Sequence, residues 1–387
     1  MTTRGWRPKP FHQFVVKIHS RCNLACDYCY VYESADQGWR DQPRVMSSAV
    51  FTTACQNIAA HAESSVSLVL HGGEPLLVGA EHLDRLAGIA TRVLGSRVRL
   101  GLQTNGLLFD PAIASVCERW GIRVAVSVDG DAAGHDRHRR FGDGRGSHSG
   151  VLRGISLLRS KPDVYAGLLC TVDLSNDAVG TYEALLALEP PTVDFLLPHG
   201  NWNQPPPRRF ESDPPAYGQW LARIFDRWFD APVRETGVRL FDDILALTLG
   251  GRGTSESVGL QPIRVAVIET DGSVEQVDTL KTAFAGATRV PLGGGGNPLD
   301  TALMSPPMVA RQIGREALCD TCRSCAISEI CGAGNYTHRY RAGSGFLNPS
   351  VYCPDLQFLI GHIRDRVLAS LPPGVLVSLP SRTADGA

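Results

Sequence analysis

Short runs dense in β-branched and other apolar residues recur through the N-terminal half of the chain. They are FVVKIH (14–19), VSLVLH (66–71), VRLGLQ (98–103), RVAVSV (123–128), YAGLLCTV (165–172) and VDFLLP (193–198). Amphipathic stretches separate them near 47–61, 80–94, 111–120, 148–159 and 177–187, and a sixth, PAYGQWLARIFDRWF, follows at 215–229. Strands this uniformly apolar, alternating with helix-length segments, predict a parallel sheet covered by helices. An open doubly wound sheet and a partial barrel both satisfy that pattern. The strand ends separate them: HSRCN, HGGEP, QTNG, SVDG, TVDLSN and PHGNW each put polar or glycine residues just past a strand. Any one of these, QTNG for example, reads alone as a turn. Six in register gather functional groups at the C-terminal edge, where a barrel enzyme builds its site. The expected fold class is α/β, a partial (β/α)6 barrel of the TIM type.

The texture changes after Phe229. A proline-rich segment, NQPPPRRFESDPP (203–215), precedes the sixth helix. Glycine-rich GGRGTSES (250–257) and GGGGNP (293–298) frame a candidate hairpin, RVAVIETDGSVEQVD (264–278), with TDGS as its turn. These shifts place a boundary near 235. Residues 1–235 form the barrel, 236–370 a second domain, and 371–387 a loosely held tail.

Composition then narrows the class. At 387 residues, 43% hydrophobic and 20% charged, the chain reads as an ordinary soluble protein with length for a sizeable core. A net charge of -1 gives no pull toward nucleic acid or an anionic membrane. The basic run HDRHRR (135–140) reads as a solvated loop. The N-terminus lacks the apolar core of a signal peptide, and no apolar run approaches the roughly 20 residues of a membrane helix. A cytoplasmic location is expected. There, eleven cysteines with eight grouped at 22–29 and 319–353 point to metal ligation rather than disulfides. Cys55, Cys117 and Cys170 stand alone and read as small buried hydrophobes.

SRCNLACDYCY (20–30) sets Cys22, Cys26 and Cys29 in a loop after the first strand. A 4Fe–4S cluster takes one thiolate per iron, so three cysteines leave one iron open to an outside molecule. A structural zinc would need a fourth protein ligand, and His19 lies on the strand side of the loop. The spacing C-x3-C-x-aromatic-C, with Tyr28 before Cys29, resembles the radical S-adenosylmethionine (SAM) enzymes. On that resemblance Gly72, Gly73, Glu74 and Pro75 (GGEP) form the element that binds the methionine amino group. The two glycines permit close backbone approach, and Glu74 supplies an anion. QTNG, SVDG and HDRHR supply ribose and carboxylate contacts, carried over as Asn105, Ser127, Asp129 and Arg139. The resemblance spans about residues 12–235. It implies that SAM fills the open iron and that the reduced cluster cleaves it to a 5′-deoxyadenosyl radical.

A second group, CDTCRSCAISEIC (319–331), ends with Cys353 some way on. Cys322-x2-Cys325-x5-Cys331, then Cys353, resembles the SPASM domain that carries auxiliary clusters in peptide-modifying radical SAM enzymes. Four thiolates suit electron transfer, although Cys322-x2-Cys325 would also serve as a zinc knuckle. A full SPASM domain has a second auxiliary cluster, but Asn335 and Val277 stand where its cysteines are expected. Two 4Fe–4S clusters in all follow, one binding SAM and one auxiliary. Cys319 is left over, as a spare thiol or a substitute ligand.

ETDGSVEQVDTLK (269–281), HRY (338–340), NPSVYC (348–353) and DFLLPHGNW (194–202) together resemble the FxsB-type maturases. These join an aromatic ring carbon to the β-carbon of a residue two positions on in a ribosomally made peptide, forming a cyclophane. Closing the ring sheds one electron, which the auxiliary cluster can take, and one proton. Asp278 in the hairpin is the candidate base, and an ordinary surface aspartate is the alternative. Thioether formation, epimerisation and formylglycine installation start from the same abstraction and stay open. A non-catalytic metal-binding module is a rival of another class, which GGEP and SVDG argue against. The implied partners are a ribosomal precursor peptide and a reductase, flavodoxin or ferredoxin as electron donor. The dozen residues before the first strand leave no room for a fused leader-recognition domain, so the leader binds the SPASM region or a separate protein.

Overall fold

The computed structural model describes residues 6–208, 215–291 and 295–371; the expected tail at 371–387 lies almost wholly outside them. Strands β1 (Gln13–His19), β2 (Val66–Gly72), β3 (Val98–Thr104), β4 (Arg123–Ser127), β5 (Tyr165–Thr171) and β6 (Thr192–Leu196) fall within two residues of the six apolar runs. With β7 (Gly237–Val238), β8 (Val265–Ile268) and β9 (Val274–Glu275) they form one sheet in the order β7-β6-β5-β4-β3-β2-β1-β8-β9. Every pairing is parallel except the last, between β8 and β9. Because β1 to β6 follow chain order, their crossovers all wrap one face instead of reversing midway as in a doubly wound sheet. The ends β7 and β9 do not pair, so the barrel is partial.

Helices α1 (Ser48–His61), α2 (Gly79–Leu94) and α3 (Pro111–Trp120) cover the first strands. Their starts follow from sequence. Ser47 accepts from the Val50 N–H at 3.2 Å, and Asp110 accepts from Ile113 at 2.8 Å with Pro111 at the first helical position. In α2, Leu83, Leu86, Ala87, Ala90 and Leu94 are buried at helical spacing against the core. Helix α4 (Ala132–His138) corrects the reading of HDRHRR as a solvated loop. Asp131 caps it, and His135, fully buried, accepts from the Asp129 N–H at 3.2 Å and meets the Ser147 hydroxyl at 2.9 Å. Helices α5 (His148–Arg159), α6 (Ala178–Leu186) and α7 (Ala216–Phe229) complete the outer layer.

The sheet continues past residue 235: β7 extends it beside β6, and β8 lies against β1. The TDGS turn joins β8 to β9 as expected, with Gly272 at φ 90. Helices α8 (Arg239–Thr248), α9 (Pro298–Leu303), α10 (Pro306–Ala310), α11 (Asp320–Arg323) and α12 (Ser328–Cys331) lead to the long α13 (Cys353–Ser370). Asp355 near the start of α13 accepts from the N–H groups of Tyr217 and Gly218 at 2.9 and 3.2 Å. It therefore satisfies the open N-terminus of α7 and locks the C-terminal segment onto the barrel. No helix among the described residues is long and apolar enough to cross a membrane.

Candidate active site

The C-terminal ends of β1 to β6 surround a cavity of about 170 Å³. Cys22, Cys26 and Cys29 line one side of it, and His71, Gln103, Ser127, Thr171 and His199 contribute from the strand ends. Leu169, Leu196 and Leu197 form an apolar patch. Tyr28, Cys29, Tyr30, Thr171, Pro198 and His199 also line a groove of about 560 Å³, so the two spaces are continuous.

The cysteine loop is held by close backbone packing. A Cβ on Gly72, at φ 147, would sit 2.0 Å from the His19 carbonyl oxygen. On Gly73 it would sit 1.9 Å from the Tyr32 hydroxyl and 2.5 Å from the Arg21 carbonyl oxygen. Both glycines are required to seat the loop against the end of β2, whatever they also offer a ligand. Glu74 does not reach the cavity wall. It is fully buried and accepts from Thr104 Oγ1 at 2.7 Å, the Asn105 N–H at 2.8 Å and the Leu76 N–H at 2.9 Å. It braces the end of β3 and so places Asn105, which does face the cavity. Pro75 is buried behind the same wall.

Opposite the turn, Tyr28 donates to Asp129, Arg139 donates to Tyr28 at 2.8 Å, and Asp129 accepts from the Thr171 N–H at 2.9 Å. Ser127 accepts from Gln103 Nε2 at 2.9 Å. Burial, with Asp129 alongside, holds the Tyr28 phenol protonated, well above its usual range. Arg139 reaches the cavity, and its Nε is buried without a protein partner.

Residues 16–171 match the family model of the Radical SAM superfamily. Those residues form a Radical SAM domain. Over 361 residues it is 26% identical to the serine-type anaerobic sulfatase-maturating enzyme of Klebsiella aerogenes, spanning 89% of this chain and 84% of that one. Among solved structures, native anSMEcpe with bound AdoMet and Cp18Cys peptide matches with a TM-score of 0.78 at 20% identity, over 92% of this chain and 98% of that one. Streptococcus suis SuiB bound to precursor peptide SuiA matches at 0.60 and 10% identity, over 89% and 76%. Both structural likenesses are of fold.

The cavity suits a cluster better than zinc. A tetrahedral zinc with Zn–S bonds of about 2.3 Å needs sulfurs about 3.8 Å apart. Among the described residues, the one trio of ligand atoms within 4.8 Å of one another is Glu269, Glu275 and Asp278; no cysteine group is that tight. Without a metal, burial pushes the Cys22 thiol up to about 12 and Cys26 to about 11. Their ionisation therefore calls for bound positive charge. Arg139, whose buried Nε has no protein acceptor, lines the same cavity.

In the C-terminal part of the chain, Cys322, Cys325, Cys331 and Cys353 line one small cavity. Cys319 lies beside Cys322 and is half-buried. The two positions expected to lack cysteine are filled otherwise. The Asn335 side chain accepts from the Thr337 N–H at 3.1 Å, and Val277 packs against a cluster of Leu280, Ala283 and Ala287.

Asp278 is buried rather than on the surface, at 6% exposure. Lys17 of β1 lies 2.6 Å from both Asp278 and Glu269, and Lys281 approaches the same carboxylates at 3.9 and 3.4 Å. Two ammonium groups thus occupy the acidic trio, which makes it an ion-pair network. Burial pushes the Asp278 carboxyl up, but Lys17 and Lys281 outweigh it and hold it below its ordinary value. Asp278 sits close enough to Tyr30 and His71, both on the cavity wall, to perturb their ionisation. Lys17 escaped the sequence reading; its signal was a lysine inside the otherwise apolar FVVKIH.

Proposed function

We propose that this radical SAM enzyme oxidises a β-carbon within a peptide and links it to an aromatic ring carbon two positions away. Cys22, Cys26 and Cys29 would hold the 4Fe–4S cluster, and Cys322, Cys325, Cys331 and Cys353 an auxiliary one. Residues 1–235 are then the radical SAM barrel and 236–370 the SPASM domain. When bound, SAM and its cluster supply the carbon radical that removes one hydrogen atom from the peptide. The chain's residues do the rest. Tyr28, Asp129, Arg139, Ser127 and Asn105 orient the cofactor, with Gly72 and Gly73 seating its cluster loop and Glu74 and Pro75 behind them. Leu169, Leu196 and Leu197 keep water from the radical. The groove beside the cavity takes the peptide, and an external flavodoxin, ferredoxin or reductase supplies electrons.

The observation that carries this reading is the set Cys322, Cys325, Cys331 and Cys353 around one small cavity, a place for the electron that ring attack sheds. Asp278, held ionised by Lys17, lines neither the cavity at the strand ends nor the groove. After ring attack the substrate must lose one proton and one electron. Asp278 takes the proton, and a cluster held by Cys322, Cys325, Cys331 and Cys353 would accept the electron. Because its folded pKa is lowered, Asp278 stays a carboxylate through neutral pH. The acid limb it imposes on activity lies below the usual carboxylate pKa of about 3.9.

Similarity to a serine-type sulfatase-maturating enzyme along 89% of the chain favours a second reading, formylglycine installation. Ring cross-linking and serine oxidation both remove two hydrogens, so mass alone does not separate them. Hydrazine trapping reports an aldehyde, whereas missing backbone fragments between the linked residues report a cross-link. In either case Asp278→Asn is expected to keep SAM cleavage while peptide product falls about 10²-fold or more. Product at the wild-type rate in a folded Asp278→Asn protein would remove Asp278 as the base.

A further inference from the structure

Four rings run between the two cysteine groups. Tyr30, next in sequence to Cys29, meets His199 edge to face with centroids 5.2 Å apart. His199 Nδ1 lies 3.2 Å from His338 Nε2, with the ring centroids 5.4 Å apart. His338 meets Tyr352 at 4.8 Å, and Tyr352 immediately precedes Cys353. The column is anchored along its length. The Tyr352 hydroxyl donates to the Pro198 carbonyl at 2.6 Å, and the Val351 N–H donates to the His338 carbonyl at 2.9 Å. Tyr30 and His199 stand on the cavity wall, and His338 is buried at 4% exposure.

We propose that Tyr30, His199, His338 and Tyr352 form the path along which an electron passes between the SAM cavity and the auxiliary cysteine group. The inference rests on the reading above, which puts a four-iron cluster at each end. It gives PHGNW, HRY and VYC one shared purpose: each supplies one ring of a continuous column. The balance is simple. The oxidised auxiliary cluster gains the one electron that the substrate loses, Asp278 gains the proton, and no bond in the column forms or breaks. Burial pushes His199 down to about 4 and His338 well below its ordinary value, where the neighbouring His199 and Arg339 add to the effect. At neutral pH the two imidazoles therefore place no fixed charge in the path.

The test needs neither peptide nor SAM. Protein loaded with both clusters is reduced by photoexcited deazaflavin, and freeze-quench EPR follows the passage of the reduced signal from one cluster to the other. His338→Leu is expected to slow that exchange about tenfold or more, while His338→Phe, which keeps a ring, stays near wild type. His199→Leu, at the half-exposed end, serves as the second variant should His338→Leu fail to fold, with the same expected slowing. Circular dichroism and iron content confirm that each variant is folded and loaded. Unslowed exchange in a folded, loaded leucine variant overturns the path alone. A wild-type protein that loads only the Cys22 group overturns both the path and the reading beneath it.

Discussion

Cys26→Ala is expected to abolish reductive SAM cleavage. Its thiol is one of three lining the cavity, on a loop that Cys29 tightens by donating its N–H to the Cys26 carbonyl at 3.1 Å. Two thiolates leave two irons without a protein ligand, so the cluster should be lost and iron should fall from about eight to about four per chain. 5′-Deoxyadenosine should drop below detection under anaerobic reduction, since no other cysteine faces the cavity to replace the lost ligand. Cys331→Ala loses iron by the same amount from the other end of the molecule. If folded, it still cleaves SAM but makes little peptide product. Iron and sulfide assays together with chromatography of the nucleoside products measure both. Cleavage by folded Cys26→Ala protein would contradict the assignment of the loop.

The second large effect is Gly73→Ala. Its methyl would meet the Tyr32 hydroxyl at 1.9 Å and the Arg21 carbonyl oxygen at 2.5 Å. The tyrosine can swing aside, but the carbonyl belongs to the backbone that carries Cys22, so the cysteine loop itself must move. Overpacking of this kind costs about 1–3 kcal/mol. A loop shifted by even an ångström would misplace the cluster and cost about 10²-fold in SAM cleavage. Gly361→Ala, in the middle of α13 with nothing within 4 Å of the added carbon, is the contrast. It should stabilise the protein by about 0.5–1 kcal/mol and leave cleavage unchanged. Denaturant unfolding and initial cleavage rates compare the two. Wild-type kinetics for Gly73→Ala would show that the loop is not seated by the turn.

The barrel was legible because its signals are local. Apolar runs, caps such as Ser47 and Asp110, and polar strand ends all act within a few residues. The parallel pairing of β1 with β8 was not, since it joins segments some 250 residues apart in sequence and leaves no local mark. Helix α4 was misread because a basic run looks solvated until its partners, Asp129, Asp173 and Ser147, are brought to it by the fold. In the site, thiolate spacing is fixed by cluster chemistry and survives in sequence. The direction of a carboxylate does not. Glu74 turned out to brace Asn105 from behind, and Asp278, equally consistent with an exposed hairpin, opens a short helical turn past β9 and sits beside Lys17 of β1.

Hydrogen abstraction from a peptide β-carbon is the centre of the account, and isotope transfer tests it most directly. A peptide that the enzyme converts would be made with deuterium at its β-carbons and turned over anaerobically with SAM and the loaded enzyme. The prediction is 5′-deoxyadenosine carrying one deuterium for each peptide converted. Product formed together with 5′-deoxyadenosine containing only protium would contradict it.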